Sequence, residues 1–218
     1  MHILTLAIGN DYRKALRKAL DSKRSYAKKQ GYTYIEAGEE FWDRHRPIAW
    51  SKVGFLLTIL NKLPDGDLIW LSDADVLITN PYITIEDHIL PLLPSNKDLL
   101  FIYDACHHLN SGNLLMRNSK WLRNFWTRVN QRTDCTYHIW WENMAMIKEM
   151  ESNKEDQEKI QVTNQHKRFN AYLMGLEGEP LWEPNDFLVH FAGVYNPGKM
   201  ESLIEEILKG NVPRLSLT

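Results

Sequence analysis

Leu68-Ile69-Trp70-Leu71 is an unbroken apolar run, and it ends in two carboxylates, Asp73 and Asp75 of Ser72-Asp73-Ala74-Asp75, before apolar residues resume at Val76. A strand with one wet face alternates apolar and polar residues, whereas an unbroken apolar strand is covered on both faces. The segment therefore reads as a buried strand over Asp67–Leu71 that gives way to a loop. Such a strand needs a sheet around it and helices on either side.

The rest of the chain supplies both. His2–Ile8 is a β-rich run ending at Gly9. Asp11–Gln30 has helical spacing and is stopped by Gly31, a residue suited to ending a helix. Tyr32–Ile35 reads as a second strand. After Pro47, Trp50–Leu63 is helical, with Val53, Leu56, Leu57, Leu60 and Leu63 on one face. Leu99–Tyr103, Asn113–Met116 and Phe187–Phe191 read as further strands. Asn118 or Ser119 caps a helix carrying Trp121, Leu122, Phe125, Trp126 and Val129. Helices are also expected over Trp140–Met150 and Lys199–Lys209, and Glu151–Lys159 as a charged surface segment. Alternating strands and helices with no repeat or linker indicate one α/β domain over residues 1–218. Leu215-Ser216-Leu217-Thr218 stops abruptly, as at a boundary inside a longer chain.

Composition removes several classes of function. With 26 Lys and Arg against 28 Asp and Glu, the net charge of −2 is wrong for a strongly basic nucleic-acid binder. The basic run Arg13–Lys29 also contains Asp21, and reads as a solvated helix face. No apolar run reaches transmembrane length, and Met1-His2-Ile3-Leu4 enters a strand without a signal-peptide pattern. Two cysteines, Cys106 and Cys135, make no disulfide framework, which suits a reducing compartment. Eight tryptophans are many for this length, and serve either a core or the flat walls of a ring-binding site.

Asp73 and Asp75 are hard oxygen ligands for Mg²⁺ or Mn²⁺, ions that share their shell with substrate phosphates. An Asp-x-Asp alone is also found in solvated loops and helix caps. His190, in Phe187-Leu188-Val189-His190-Phe191-Ala192-Gly193, is either a satisfied core histidine or a third ligand, and an imidazole would favour Mn²⁺. Asn110-Ser111-Gly112-Asn113 is either an ordinary turn or a set of partners for a hydroxyl-rich ligand. The tandem His107-His108 reads as contacts to a sugar rather than as metal ligands.

In this order these segments resemble glycosyltransferase family 34, which includes plant xyloglucan xylosyltransferases and fungal galactosyl- and mannosyltransferases. The resemblance is carried by Thr5-Leu6-Ala7, Tyr26-Ala27-Lys28-Lys29-Gln30-Gly31-Tyr32, Trp50-Ser51-Lys52, Trp70-Leu71-Ser72-Asp73-Ala74-Asp75, Asn110-Ser111-Gly112 through Arg117-Asn118, and His190-Phe191-Ala192-Gly193. The compact form is similar to glycosyltransferase domains with which chlorella viruses build capsid glycans. The resemblance implies a GT-A (Rossmann-like) fold, a mixed, mostly parallel sheet flanked by helices. It implies a UDP-sugar donor of glucose, galactose, xylose or rhamnose type, an oligosaccharide acceptor, Mn²⁺ or Mg²⁺, and a retaining outcome.

By the same resemblance Asp73, Asp75 and His190 hold the metal, with Ala74 between the two acids in the donor site. Ala7, Gly9 and Tyr12 line the uridine site, and Lys52 lies near the donor. Asp104, Asn110 and Ser111 meet the donor sugar, and Gly193 and Lys199 approach the diphosphate. Asp104, Glu142 and Asn143 are the candidate catalytic residues. The family usually has an acid followed by Gln where this chain has Glu142-Asn143, so the resemblance identifies no covalent nucleophile. It usually has a membrane anchor and a stem, and neither is recognised here. A monomer or weak dimer in the cytoplasm (the host's, for a viral chain) is expected, with no nucleic-acid partner and no membrane span.

Two other functions fit some of these residues. Asp73-Ala74-Asp75-Val76 also looks like the nucleophile motif of haloacid-dehalogenase-type phosphatases, in which the first acid is phosphorylated. That chemistry needs a later acid pair, and the chain contains no Asp-Asp. A non-catalytic carbohydrate-binding module that kept a donor site is the other.

Overall fold

The computed structural model describes residues 1–217; Thr218, the last residue of the expected domain, lies outside the described residues. In chain order the elements are β1 (His2–Leu6), α1 (Asn10–Ala15), α2 (Arg17–Gln30), β2 (Thr33–Ala37), α3 (Ser51–Leu60), β3 (Leu68–Ser72), β4 (Val76–Ile78), α4 (Ile85–His88) and β5 (Leu99–Tyr103). Then follow β6 (Leu109–Arg117), α5 (Lys120–Asn130), α6 (Trp141–Ser152), α7 (Lys154–Lys159), β7 (Ile160–Thr163), α8 (His166–Phe169), β8 (Leu188–His190) and α9 (Pro197–Leu208).

Six strands form one sheet in the order β2-β1-β3-β6-β5-β7. β1 runs parallel to β2 and β3, and β5 parallel to β7, while β6 is antiparallel to both its neighbours. Five strands therefore point one way and β6 the other, which is the mixed, mostly parallel sheet expected. β4 and β8 make a separate antiparallel pair.

The apolar strands alternate between two covered faces. Leu4, Ile69, Leu71, Leu99, Phe101, Leu114 and Met116 pack with α3, α5 and α6. Ile3, Trp70, Leu100, Ile102 and Leu115 pack on the opposite side with Tyr26 of α2 and with β4 and β8. Both faces of β3 are thus buried, as its unbroken apolar run requires. A third cluster seats α9 through Met200, Leu203, Ile204 and Ile207 against α2 and the small sheet.

The local signals act where they were expected. Ser119, not Asn118, caps α5, its hydroxyl accepting from the Leu122 amide. Gly31 ends α2 in the left-handed conformation at φ 72°. The helix expected over Asp11–Gln30 is broken in two at Leu16. β6 begins four residues before the expected Asn113, so Asn110-Ser111-Gly112 is interior strand and not a turn. The charged segment 151–159 contains α7, and Asp156 within it is fully buried, held by the Trp121 indole and Arg128.

Candidate active site

The loop after β3 is fixed by its backbone before its side chains act. The Asp73 amide donates to the Gly112 carbonyl at 2.8 Å, and the Phe191 amide donates to the Asp75 carbonyl at 3.0 Å. Lys23, fully buried on α2, donates its ammonium to the carbonyls of Asp73 at 2.7 Å and Ala74 at 3.1 Å. The β4–β8 ladder then pairs Val76 with His190. That register sets His190 beside Asp75, with Nε2 at 3.4 Å from Oδ1. One ligand atom from each of Asp73, Asp75 and His190 lies within 4.8 Å of the others. Among the described residues this is the one cluster of three or more such groups.

The two carboxylates face a cleft of about 440 Å³, lined among others by Leu6, Ile8, Tyr12, Lys52, Trp141 and Gly193, with His190 buried beside Asp75. Asp73, Ala74 and Asp75 all line it. Gly193 adopts φ 78°, and a Cβ there would meet Met174 Cε at 2.9 Å, so this wall is built for glycine. Val194, Tyr195 and Met200 bring the first turn of α9 to the same cleft.

The electrostatics are those of a concentrated acidic site held by two lysines. Burial pushes the Asp75 carboxyl up, but the facing His190 and the nearby Lys23 outweigh it, and its pKa is held below the usual value. Burial pushes Lys23 down to about 7, against the pull of Asp75 and Asp73. Lys52 is the opposite case. Burial disfavours its charge, but Asp73 and Glu142 hold the ammonium well above its ordinary range. Its Nζ lies 2.8 Å from Glu142 Oε1 and 3.1 Å from Asp73 Oδ1, and donates to Ser111 Oγ at 3.1 Å. Burial, with Asp75 and Asp73, pushes the Tyr12 phenol well above its usual value, so it remains a neutral hydroxyl in the cleft.

The residues present suit a divalent cation. Two carboxylates and an imidazole are the donor set for Mn²⁺ or Mg²⁺. The His190 Nδ1 is committed to Asn170 Oδ1 at 2.9 Å, which leaves Nε2 facing the carboxylates. Ligating imidazoles are held in this way by a partner on their other nitrogen.

Several expected site residues sit elsewhere. Ala7 is buried in the core, and its backbone is already bonded to Arg13 and Ala37; Leu6 and Ile8 on either side reach the cleft instead. Gly9, at φ 99°, turns the chain into α1 and gives its amide to Glu39. Ser111 is buried between Lys52 and Glu142, donating to the latter at 3.1 Å. Asn110 Oδ1 is taken by the Gly112 amide and by Asn170. Lys199 is exposed and outside the cleft lining, its amide capped by Asn196.

Asp104 lines a second cavity of about 430 Å³ with Tyr103, His107, Asn164, His166 and Glu179. Its Oδ1 accepts from the amides of Cys106 and His108, which makes it the anchor of a turn. Glu142 lies one residue behind Trp141, which lines the cleft with a positive φ of 42°. Glu142 Oε2 and Asn143 Oδ1 are both buried without a hydrogen-bond partner among the described residues. Of the eight tryptophans, Trp182 serves the core, buried with its indole on Thr79.

Lys23 is the functional residue that the sequence conceals. It sits in the basic run Arg13–Lys29 and looks like its solvated neighbours. Those neighbours do not form one patch: Arg13 pairs with Glu36, Lys18 with Glu205, and Arg24 with Asp21 and Glu36. Only the periodicity of α2, which turns position 23 inward with Ala19, Tyr26 and Ala27, distinguishes it.

Comparison with known proteins gives the same answer. Residues 3–96 match the galactosyl transferase GMA12/MNN10 family. An uncharacterized α-1,2-galactosyltransferase of Schizosaccharomyces pombe is 24% identical over 228 residues, covering 83% of this chain and 56% of that protein. Xyloglucan 6-xylosyltransferase 4 of Arabidopsis thaliana is 30% identical over 119 residues, covering 52% of this chain and 22% of that one. The chain thus spans little more than half the length of the fungal relative and less of the plant one. Among solved structures, a glycosyltransferase involved in glycosylation of the major capsid of PBCV-1 superposes with a TM-score of 0.72 at 13% identity, covering 94% of this chain and 98% of that one. The fold is therefore GT-A. Over residues 3–96 the chain is thus similar to glycosyltransferase family 34, the galactosyl transferase GMA12/MNN10 family.

Proposed function

We propose that the protein is a metal-dependent, retaining glycosyltransferase that moves a sugar from a UDP-sugar to an oligosaccharide acceptor. The observation that carries this reading is the Asp73–Asp75–His190 cluster, whose two carboxylates line a cleft of nucleotide-sugar size. Those three side chains would hold Mn²⁺ or Mg²⁺, with the imidazole favouring Mn²⁺. When bound, such an ion neutralises charge on the departing diphosphate.

The chain's own residues do the rest. Leu6, Ile8 and Tyr12 offer an apolar wall with one neutral hydroxyl to the uridine end. Gly193 lets backbone approach the diphosphate closely, and the first turn of α9 presents its positive end to the same anion. Lys52 adds a fixed positive charge at Asp73. Breaking the sugar–phosphate bond leaves an oxocarbenium-like sugar. The departing phosphate oxygen takes the acceptor hydroxyl's proton as that hydroxyl attacks from the same face.

Same-face attack is supported by the position of Glu142. Its Oε1 is bound by Lys52 and Ser111, and it stands behind Trp141 rather than in the cleft wall. A carboxylate so placed is poor at attacking a sugar. The donor is of glucose, galactose, xylose or rhamnose type.

A panel of UDP-sugars assayed for UDP release with Mn²⁺, comparing wild type with Asp75→Ala, tests the reading. Release with one donor, lost in the variant, is expected. No release from any donor, or no loss in the variant, overturns it. Tight UDP–Mn²⁺ binding without turnover across donors and acceptors would instead identify a non-catalytic binding module. A glycosyl adduct trapped on Glu142 or Asn143 would replace same-face attack with double displacement.

A further inference from the structure

We propose that Asn113 and Asn170 are positioning residues that lock His190 in its Nδ1–H tautomer and so aim the Nε2 lone pair at the carboxylate pair. The proposal rests on the metal-site reading for its purpose but not for its geometry.

Histidine tautomers and amide orientations follow from their partners, and here the partners form a chain with a known donor at each end. At one end the Trp70 indole N–H, which can only donate, meets Asn113 Oδ1 at 2.9 Å. That fixes the Asn113 amide, whose Nδ2 donates to Asn170 Oδ1 at 2.9 Å. At the other end the Gly112 backbone N–H donates to Asn110 Oδ1 at 2.8 Å. Asn110 Oδ1 also accepts from Asn170 Nδ2 at 3.1 Å. Both ends therefore demand the same Asn170 orientation, with Oδ1 toward His190 and Nδ2 away. His190 Nδ1 lies 2.9 Å from that oxygen and must carry a proton.

The other arrangement fails at each of these links; only the Tyr172 hydroxyl beside Asn170 Nδ2, which can donate or accept, is indifferent to it. An Nε2–H imidazole would set the Nδ1 lone pair against the Asn170 oxygen. Turning Asn170 to relieve this would set its NH₂ against the NH₂ of Asn113 and its oxygen against Asn110 Oδ1. Turning Asn113 as well would set NH₂ against the Trp70 N–H. Asn113 and Asn170 are fully buried and His190 nearly so, so these clashes are shut off from bulk solvent and costly.

With Nδ1 turned to Asn170, Nε2 is the ring atom that faces Asp75 Oδ1, at 3.4 Å, and it is the one left to meet a cation or a proton between them. The ring has no room to turn away. Gly112 faces it so closely that a Cβ would stand 2.1 Å from His190 Cε1, and Tyr172 covers it with ring centroids 5.5 Å apart.

The test is the tautomer itself, read in metal-free protein labelled with ¹⁵N-histidine. Long-range ¹H–¹⁵N correlation at alkaline pH, with the His190→Gln variant to identify the signal, is expected to show a protonated Nδ1 and a bare Nε2. An Nε2–H signal overturns the proposal, whatever any variant does. Asn170→Leu removes the acceptor, and is expected to lose the Nδ1–H preference and to weaken Mn²⁺ binding, followed by the EPR signal of free Mn²⁺, by roughly 10- to 100-fold. Asn170→Asp keeps an acceptor for Nδ1, and is expected to restore the tautomer and most of the affinity. Wild-type tautomer and affinity in Asn170→Leu overturn the proposal. An Nδ1–H wild type that binds no Mn²⁺ upholds the relay and overturns the metal-site reading instead.

Discussion

Lys52→Met isolates the energetics of the buried ion pair under the cleft. Lys52 Nζ is 2.8 Å from Glu142 Oε1, and the two side chains are only 11% and 5% exposed. Water cannot take over the role of the lost cation at Glu142. Removing one partner of such a pair typically costs about 3–5 kcal/mol, because the remaining charge is buried alone. For a domain of this size that is a fall in Tm of roughly 6–20 °C, at about 2–4 °C per kcal/mol. Asp73 contributes less to the penalty, since its side chain is 30% exposed and remains partly hydrated. The double variant Lys52→Met/Glu142→Leu removes both charges, and apolar replacement of a whole buried pair is often neutral. It should therefore recover most of the single-variant loss, with a coupling of at least about 2 kcal/mol. Denaturant unfolding of metal-free protein, followed by tryptophan fluorescence, measures all four corners of the cycle. A Lys52→Met variant within about 1 kcal/mol of wild type would refute the reasoning, as would a double variant no more stable than the single.

Three further outcomes follow from the same geometry. Lys23 has a folded-state pKa near 7, below its unfolded value, so between those values the unfolded chain holds a proton that the folded chain lacks, and stability should rise with pH across the window. The rise, at most about 4–5 kcal/mol, should flatten in Lys23→Met when unfolding is measured from pH 6 to 10. Gly112→Ala places a Cβ 2.1 Å from His190 Cε1, and should displace the ring and weaken Mn²⁺ binding more than about 10-fold by EPR titration. Asp156→Ala strands the buried Trp121 indole and leaves Arg128 with Glu149 alone, and should cost about 3 kcal/mol in denaturant unfolding without altering Mn²⁺ affinity.

Strands with unbroken apolar runs are legible in the sequence, because burial on both faces leaves a plain mark. β3 and β5 lie within a residue of where their apolar runs place them. β4 is not legible: three residues directly after the Asp-x-Asp loop make no pattern, and only pairing with β8 makes them a strand. β7 follows a charged helix and carries Gln161 and Thr163, so its partner β5 rather than its own composition defines it. The Asp73–Asp75–His190 cluster is legible because carboxylates at a strand end and a histidine in an apolar strand are unusual types in those places. Asp104 occupies the same kind of position at the end of β5, but its oxygen closes a turn toward a different cavity. Residue type and strand-end placement identify candidates, and only backbone partners separate those that face the cleft from those that shape a loop.

The segment Asn110-Ser111-Gly112-Asn113 shows why that separation matters here. As a sequence it looks like a turn or a set of sugar contacts. As the start of β6 it is interior strand, and polar groups buried there are costly unless each is paired. Each one is paired with a group that supports the site. Asn110 and Asn113 anchor the two ends of the relay to His190, Ser111 joins Lys52 to Glu142, and Gly112 receives the Asp73 amide while making room for the imidazole. The four residues touch the Asp73 backbone, His190 and Lys52 at once, yet none of them lines the cleft. A substitution in this strand should therefore act as a disturbance of several site groups together. Its effects on metal affinity and on the Lys52 pair should be coupled, whereas changes at cleft-lining Tyr12 or Trp141 should alter donor binding alone.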